Sequence, residues 1–343
     1  MCNIAGYVGS LQATPILLKM IKAQEGLNGG FYSGLAVHDG KNLHYRKTIG
    51  GFDTLLKESD ASLLQGTMGI IHTRTPSGGD ASWAHPFVTM RDGELEFCYV
   101  ANGAMSSFGY RREEYHALAN NLQESGFDIP CKIKTEESRY CKLKSGDAVH
   151  MSDVMCQLIY KHKTKGLETT SAMTQAFLDM PSEIVGLAIE KETNDKIYFS
   201  RINKPMFVAF DNTGAYLASS PTAFPLHVKE YKLLPALSSG VVYKNGYKII
   251  KYPTFDKKVR SFNAKTIKNA SDDILKSLLS GEKRFTDLTK VFRKRFAKGQ
   301  LLQDDAIIYI ALYNLLKENK IKRIDTFREV GGQTAKNALF KLI

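Results

Sequence analysis

The chain has 343 residues, 43% hydrophobic and 24% charged, an ordinary balance for a globular protein long enough to bury a substantial core. No uninterrupted apolar run reaches bilayer length and no basic segment leads into an apolar one, so neither a membrane span nor a secretory signal is expected and the sequence predicts a cytoplasmic protein. The net charge of +12 is unevenly placed: residues 1–250 hold 26 Lys and Arg against 25 Asp and Glu, whereas residues 251–343 hold 21 against 10.

The chain opens Met1-Cys2-Asn3-Ile4-Ala5-Gly6-Tyr7. Cys2 has a small side chain, so methionine removal would expose it as the N-terminus. One residue would then supply both a thiol nucleophile and an α-amine, whose pKa of about 7.7–8.0 lets it accept the thiol proton near neutrality. Trimming of Met1 ahead of any small residue would explain the same opening.

Short β-rich runs follow at Ile4–Val8, Gly34–His38, Met68–His72, Leu95–Val100, Ile184–Ile189, Ile197–Phe199, Met206–Phe210 and Val241–Tyr243. Asn212-Thr213-Gly214 and Asn245-Gly246 read as hairpin turns. Helical periodicity appears at Thr14–Gln24, which opens on a Thr-Pro pair, and at Arg111–Ser125, Asp153–His162 and Ser171–Met180. The stretch Ile129–Gly146 has no clear period and reads as a loop. Hairpin-rich sheets with helices between them predict an α+β layered arrangement. Beyond Tyr252-Pro253 the pattern turns helical, at Ser271–Leu279, Phe285–Ala297, Asp304–Glu318, Asp325–Val330 and Thr334–Leu342. A domain boundary is therefore placed near residue 250, between a domain of residues 2–250 and a basic, all-α module of residues 251–343.

The five cysteines, Cys2, Cys98, Cys131, Cys141 and Cys156, are odd in number and irregular in spacing, which argues for reduced thiols. No Cys-x-x-Cys pair or His cluster suggests zinc, and neither a metal nor a cofactor is expected.

Four blocks accompany the opening: Gly29-Gly30-Phe31-Tyr32-Ser33-Gly34-Leu35-Ala36-Val37; His72-Thr73-Arg74-Thr75 followed by Ala84-His85-Pro86; Val100-Ala101-Asn102-Gly103-Ala104-Met105; and Ser152-Asp153. In this order and spacing they resemble the glutaminase domain of class II glutamine amidotransferases, in particular the glutaminase half of glucosamine-6-phosphate synthase, over roughly residues 2–250. The resemblance implies an N-terminal nucleophile hydrolase, a four-layer αββα sandwich. It implies that Cys2 hydrolyses L-glutamine to glutamate and ammonia through a thioester. Attack on a carboxamide creates an oxyanion that needs fixed donors. Asn102 offers a side-chain NH₂ and Gly103 a backbone N–H, the pair that forms the oxyanion hole in that family, although Asn-Gly is also a common turn. Arg74 is suited to a bidentate grip on the substrate carboxylate, a role the resemblance assigns it, or to an ion pair. By resemblance Asp153 holds the substrate ammonium, and it is equally suited to the first turn of a helix. Gly29 matches the glycine lining the nucleophile pocket or serves as a flexible turn. Thr75 and His85 complete the expected substrate-binding set, with His85 read as a buried, positioning histidine because an N-terminal nucleophile needs no separate base.

The chain departs from the family at Asn28, where arginine usually precedes the glycine, at Thr75, where tryptophan is usual, and at Ser220, where aspartate is usual. Residues 251–343 are too few for the sugar-isomerase lobes of the synthase, so the ammonia acceptor is expected on a separate synthase chain, a simple glutaminase being the alternative. In the basic tail, Asp304–Glu318 followed by two short helices across Gly331-Gly332 has helix-turn-helix order. That places Gln333, Thr334, Lys336 and Asn337 at the front of a recognition helix, with Lys290–Lys298 adding phosphate contacts. A small helical bundle docked on the catalytic domain is the alternative. With the nucleic-acid reading, the whole chain would be a glutaminase-like scaffold or regulator.

Overall fold

The computed structural model describes residues 2–104, 108–109, 111–137, 140–253, 255–293 and 300–343. Two antiparallel sheets face each other across an apolar interior. The first has seven strands in the order Tyr231–Leu233, Phe207–Phe210, Gly214–Ala218, Asn3–Gly9, Met68–Arg74, Tyr32–His38 and Leu43–Ile49. The second has six, in the order Gly246–Lys251, Ser238–Tyr243, Thr193–Arg201, Glu183–Glu190, Glu94–Ala104 and Phe87–Arg91.

The layering follows from period-two alternation in strands that are buried on both faces. In the first strand Ile4 and Val8 point between the sheets, while Ala5 and Tyr7 meet helix Ala13–Gln24 on the outer face. In strand Glu94–Ala104, Cys98 and Val100 face the inter-sheet core, while Phe97, Tyr99 and Ala101 meet helices Met151–Thr164 and Thr169–Asp179. The result is helix, sheet, sheet, helix, the αββα sandwich expected of this sequence.

The stretch expected to be a loop, 129–146, carries one strand of a two-stranded ladder, Cys141–Lys142 against Ala148–Val149. Its Cys131 and Cys141 thiols are buried in the outer helical core. Sequence periodicity also passes over strand Leu43–Ile49, helix Phe52–Glu58 and strand Phe87–Arg91.

The C-terminal module corrects two expectations. It is not all-α: after helices Ala264–Leu278, Phe285–Arg293 and Asp304–Lys317, the chain forms a hairpin of strands Ile321–Val330 and Gln333–Leu342. Gly331 and Gly332 both take positive φ (58° and 75°) in a two-residue loop between Val330 and Gln333, the conformation a tight hairpin turn requires. The recognition helix of a helix-turn-helix is therefore absent. Of the residues expected to read bases, Lys336 instead pairs with Glu25 and Asp53, and Asn337 is buried. Of the basic stretch 290–298, residues 294–298 lie outside the described residues.

Nor does the module keep a core of its own. Ile274, Leu288, Ile308 and Leu312 belong to the same apolar cluster as Leu17, Met20 and Ile21 of the first helix. This corresponds to the docked-bundle alternative, with a hairpin in place of its last helices.

Candidate active site

The first strand lies centrally in the seven-stranded sheet, and its register pairs Asn3 with Thr73 and Ile4 with His72. Cys2, immediately before it, therefore emerges at the sheet end beside Thr73-Arg74-Thr75. Its Sγ stands 4.0 Å from Thr75 Oγ1. Two hydrogen bonds clasp the Cys2 backbone to the neighbouring sheet: its N–H donates to Asn102 Oδ1 at 3.1 Å, and Asn102 Nδ2 donates to the Cys2 carbonyl at 3.0 Å. Both side-chain ends of buried Asn102 thus reach one residue. Among the described residues the second Nδ2 hydrogen has no partner.

Gly103 follows in a strand register opposite Ile184, where a β-carbon would come within 3.0 Å of the Ile184 side chain. Gly103 borders a cavity of about 220 Å³, whose lining includes Trp83, His150, Met151, Ser152 and Ile184. Gly29 adopts φ +69°, and a β-carbon there would lie 2.5 Å from the Thr73 carbonyl oxygen. Both the conformation and the approach require glycine.

Arg74 is buried. Nη1 donates to the Trp83 carbonyl at 2.9 Å, Nη2 donates to the Gly78 carbonyl, and the guanidinium lies 3.9 Å from the Tyr32 ring centroid. Nε has no partner among the described residues. Burial lowers the Arg74 pKa, and the nearby Cys2 sulfur opposes that shift.

His85 does not reach Cys2 by any hydrogen bond. It stacks on His72 with ring centroids 3.8 Å apart and stands edge-on to His150 at 5.6 Å. His72 Nε2 donates to the Ala101 carbonyl at 3.0 Å, which fixes its tautomer. Burial pushes the His72 pKa down to about 3 and those of His85 and His150 well below the usual value. All three rings are therefore neutral at physiological pH. His150 escaped the sequence reading; its position as N-cap of helix Met151–Thr164, accepting from Ser152 N–H, was the available signal.

Asp153 is completely buried in the first turn of that helix. Its Oδ2 accepts from Cys131 N–H at 3.2 Å and its Oδ1 from Gln157 Nε2 at 3.0 Å, while burial raises its pKa. The structure thus separates it from the cavity, whose wall at this point is Met151 and Ser152. Ser220, where the family has aspartate, bonds Thr222 in a short turn.

All five cysteines are free, and four are buried. Burial pushes the Cys141 thiol up to about 12 and raises those of Cys98, Cys131 and Cys156 further. Only Cys2 is partly exposed. Among the described residues no group of three or more His, Cys, Asp or Glu could hold a metal ion, and no helix is long and apolar enough to cross a membrane.

No family model matches the chain. Among curated proteins it is similar to glutamine–fructose-6-phosphate aminotransferases (isomerizing). That of Chlorobaculum tepidum is 26% identical over 254 residues, covering 73% of this chain and 37% of the relative. That of Caldanaerobacter subterraneus is 31% identical over 136 residues, covering 40% and 21%. The chain thus spans well under half the length of these relatives. Among solved structures, glutamine phosphoribosylpyrophosphate amidotransferase from B. subtilis superposes with a TM-score of 0.60 at 14% identity, covering 88% of this chain and 65% of that one. An allosteric regulatory enzyme of purine biosynthesis gives 0.57 at 15% identity, covering 78% and 52%. The fold is that of N-terminal nucleophile glutamine amidotransferases.

Proposed function

We propose that this chain, a homologue of the class II glutamine amidotransferases, hydrolyses L-glutamine to glutamate and ammonia through Cys2 and passes the ammonia to an acceptor site on a partner synthase. The observation that carries this reading is the clasp of Asn102 on Cys2, with Gly103 beside it in the wall of a cavity.

With Met1 removed, the Cys2 α-amine takes the thiol proton, and the thiolate attacks the glutamine side-chain carboxamide. The developing oxyanion is met by the free Nδ2 hydrogen of Asn102 and the N–H of Gly103, donors already fixed before charge appears. Collapse of the tetrahedral species breaks the C–N bond. The protonated amine delivers its proton to the departing nitrogen, which leaves as ammonia. Water then attacks the γ-glutamyl thioester through a second oxyanion, releasing glutamate and restoring the thiol.

Arg74 is buried with both Nη atoms tied to backbone carbonyls, so it favours the substrate carboxylate as a fixed positive charge near Cys2 rather than by a bidentate grip. Thr75 borders the nucleophile, and Gly29 packs against Thr73 beside it. His85 packs against His72, Phe87 and His150 and has no part in proton transfer. The ammonium contact expected of Asp153 is not part of this proposal, because both its oxygens are engaged inside the helical layer. A cytoplasmic setting fits reduced cysteines and glutamine supply.

Ammonia release from glutamine should be measurable for wild type and absent for Cys2→Ala. Intact mass after exposure to a glutamine-analogue electrophile should show loss of Met1 and a single adduct on Cys2. Wild type that releases no ammonia, alone or with candidate synthases, sinks the proposal.

A further inference from the structure

The glycine-bearing loop beside the nucleophile is held from its far side by the C-terminal module. Ala338 N–H donates to the Gly26 carbonyl at 2.8 Å, and Arg323 donates to the carbonyls of Ala23 and Glu25. Lys336 pairs with buried Glu25 at 3.3 Å, whose other oxygen accepts from Phe52 N–H. Ala335 packs in one cluster with Phe31 and Tyr32, and the Tyr32 ring carries the Arg74 guanidinium.

The most direct connection to Cys2 runs through helix Asp304–Lys317. Asn28 Nδ2 donates to the Tyr309 hydroxyl at 3.0 Å. The Asn28 carbonyl accepts from Asn3 Nδ2, which also donates to Thr73 Oγ1 at 3.2 Å. Asn3 is covalently next to Cys2, and Thr73 is the residue against which Gly29 packs. All four partners are buried. The Tyr309 ring is fixed by stacking on Phe285, with centroids 4.2 Å apart and planes 17° from parallel. Burial, then Asp305 and more weakly the Cys2 sulfur, raise the phenol's pKa, so it is present as the neutral hydroxyl.

We infer that Tyr309 is a positioning residue for Cys2, its hydroxyl locking Asn28 and, through Asn28 and Asn3, the backbone from which the nucleophile projects. The inference rests on the reading of Cys2 as nucleophile. It gives the departure at Asn28 a role: a short amide stands there because a tyrosine from the C-terminal module occupies the space behind it. The site is then complete only when the module is docked.

The test uses full-length protein as wild type, Tyr309→Phe, Asn28→Ala and the double variant. The second-order rate of Cys2 labelling by a glutamine-analogue electrophile, kcat and KM for ammonia release, and thermal melting are measured for each. Tyr309→Phe keeps the ring stack and removes one hydroxyl, so it should melt cooperatively. Its labelling rate and kcat should fall about tenfold, the scale expected of a slightly misplaced reacting group, with KM within about twofold. Asn28→Ala should lose a similar factor and the double variant no more than either single one, because both remove the same link. Tyr309→Phe labelling at the wild-type rate, or single losses that multiply in the double variant, would overturn the inference while leaving the nucleophile reading intact. A wild type that neither labels nor releases ammonia removes both.

Discussion

At the scale of residues, burial separates one partly exposed thiol, that of Cys2, from four cysteines and three histidines that are held neutral. Cys98, Cys131, Cys141 and Cys156 are held as thiols, and the neutral imidazoles of His72, His85 and His150 pack together, His85 against His72 and edge-on to His150. The stack has a consequence for stability. A histidine with a folded pKa near 3 and an unfolded pKa of 6.5 binds no proton in the native state across that interval but does bind one when unfolded. Stability therefore rises with pH between those limits and is lost as pH falls below about 6.5. His85 and His150, also shifted downward, act in the same direction. The three together can contribute at most about 4 kcal/mol of lost stability between pH 7.5 and 5.5. Urea unfolding at the two pH values should give a clearly lower midpoint at pH 5.5, and His85→Phe, which keeps an aromatic in the stack, should flatten the dependence. A midpoint that does not move with pH would refute neutral burial of the trio.

At the scale of elements, local pattern was informative wherever it alone decides conformation. The strands around Cys2, Arg74 and Asn102 and four of the five α-helices described within the first 250 residues were legible because their alternation or 3.6-residue period is undiluted. The proximity of Cys2 to Asn102 and Gly103 was legible because it is carried by two strands whose ends meet. Asp153 was not: the direction of a first-turn side chain depends on what packs against the helix, here Cys131 and Gln157. Tyr309 was invisible because its partner Asn28 lies 281 positions away.

The hairpin at 321–342 was misread because its polar and apolar residues permit a short helix, and Gly331-Gly332 serves as a turn in either case. The hairpin makes a specific prediction for Gly331→Ala/Gly332→Ala: with both turn residues at positive φ, alanine costs on the order of 1 kcal/mol per position. The hairpin requires the double variant to melt lower than wild type. A higher melting temperature with increased helical circular dichroism would restore the helical reading.

At the scale of the whole molecule, a polar seam as well as an apolar cluster joins the C-terminal module to the sandwich. Lys204 and Arg201 come from the strand Thr193–Arg201 and the turn after it, and both are buried. Arg201 donates to the Leu234 and Lys204 carbonyls and to Gln303 Oε1, just before helix Asp304–Lys317. Lys204 Nζ lies 2.8 Å from Asp305 Oδ2 and 3.9 Å from Glu183 Oε1. Burial alone would pull the Lys204 pKa down, but Asp305, Asp304 and Glu183 outweigh it and keep the ammonium charged. Helix Asp304–Lys317 is thereby pinned at the end from which Tyr309 reaches Asn28. A buried pair of this kind adds little net stability when intact, yet losing Asp305 removes the nearest of the carboxylates that hold the Lys204 charge and costs up to about 3–5 kcal/mol. Asp305→Ala should therefore destabilise strongly, whereas the paired change Lys204→Met/Asp305→Leu, which removes both charges and keeps the volume, should recover most of the loss. Chemical denaturation of the three proteins measures this directly. If the seam also holds the nucleophile loop in place, Asp305→Ala should slow Cys2 labelling under conditions where it is still folded, and the paired variant should restore the rate. A folded Asp305→Ala protein that labels like wild type would mean that the seam holds the module without ordering the site.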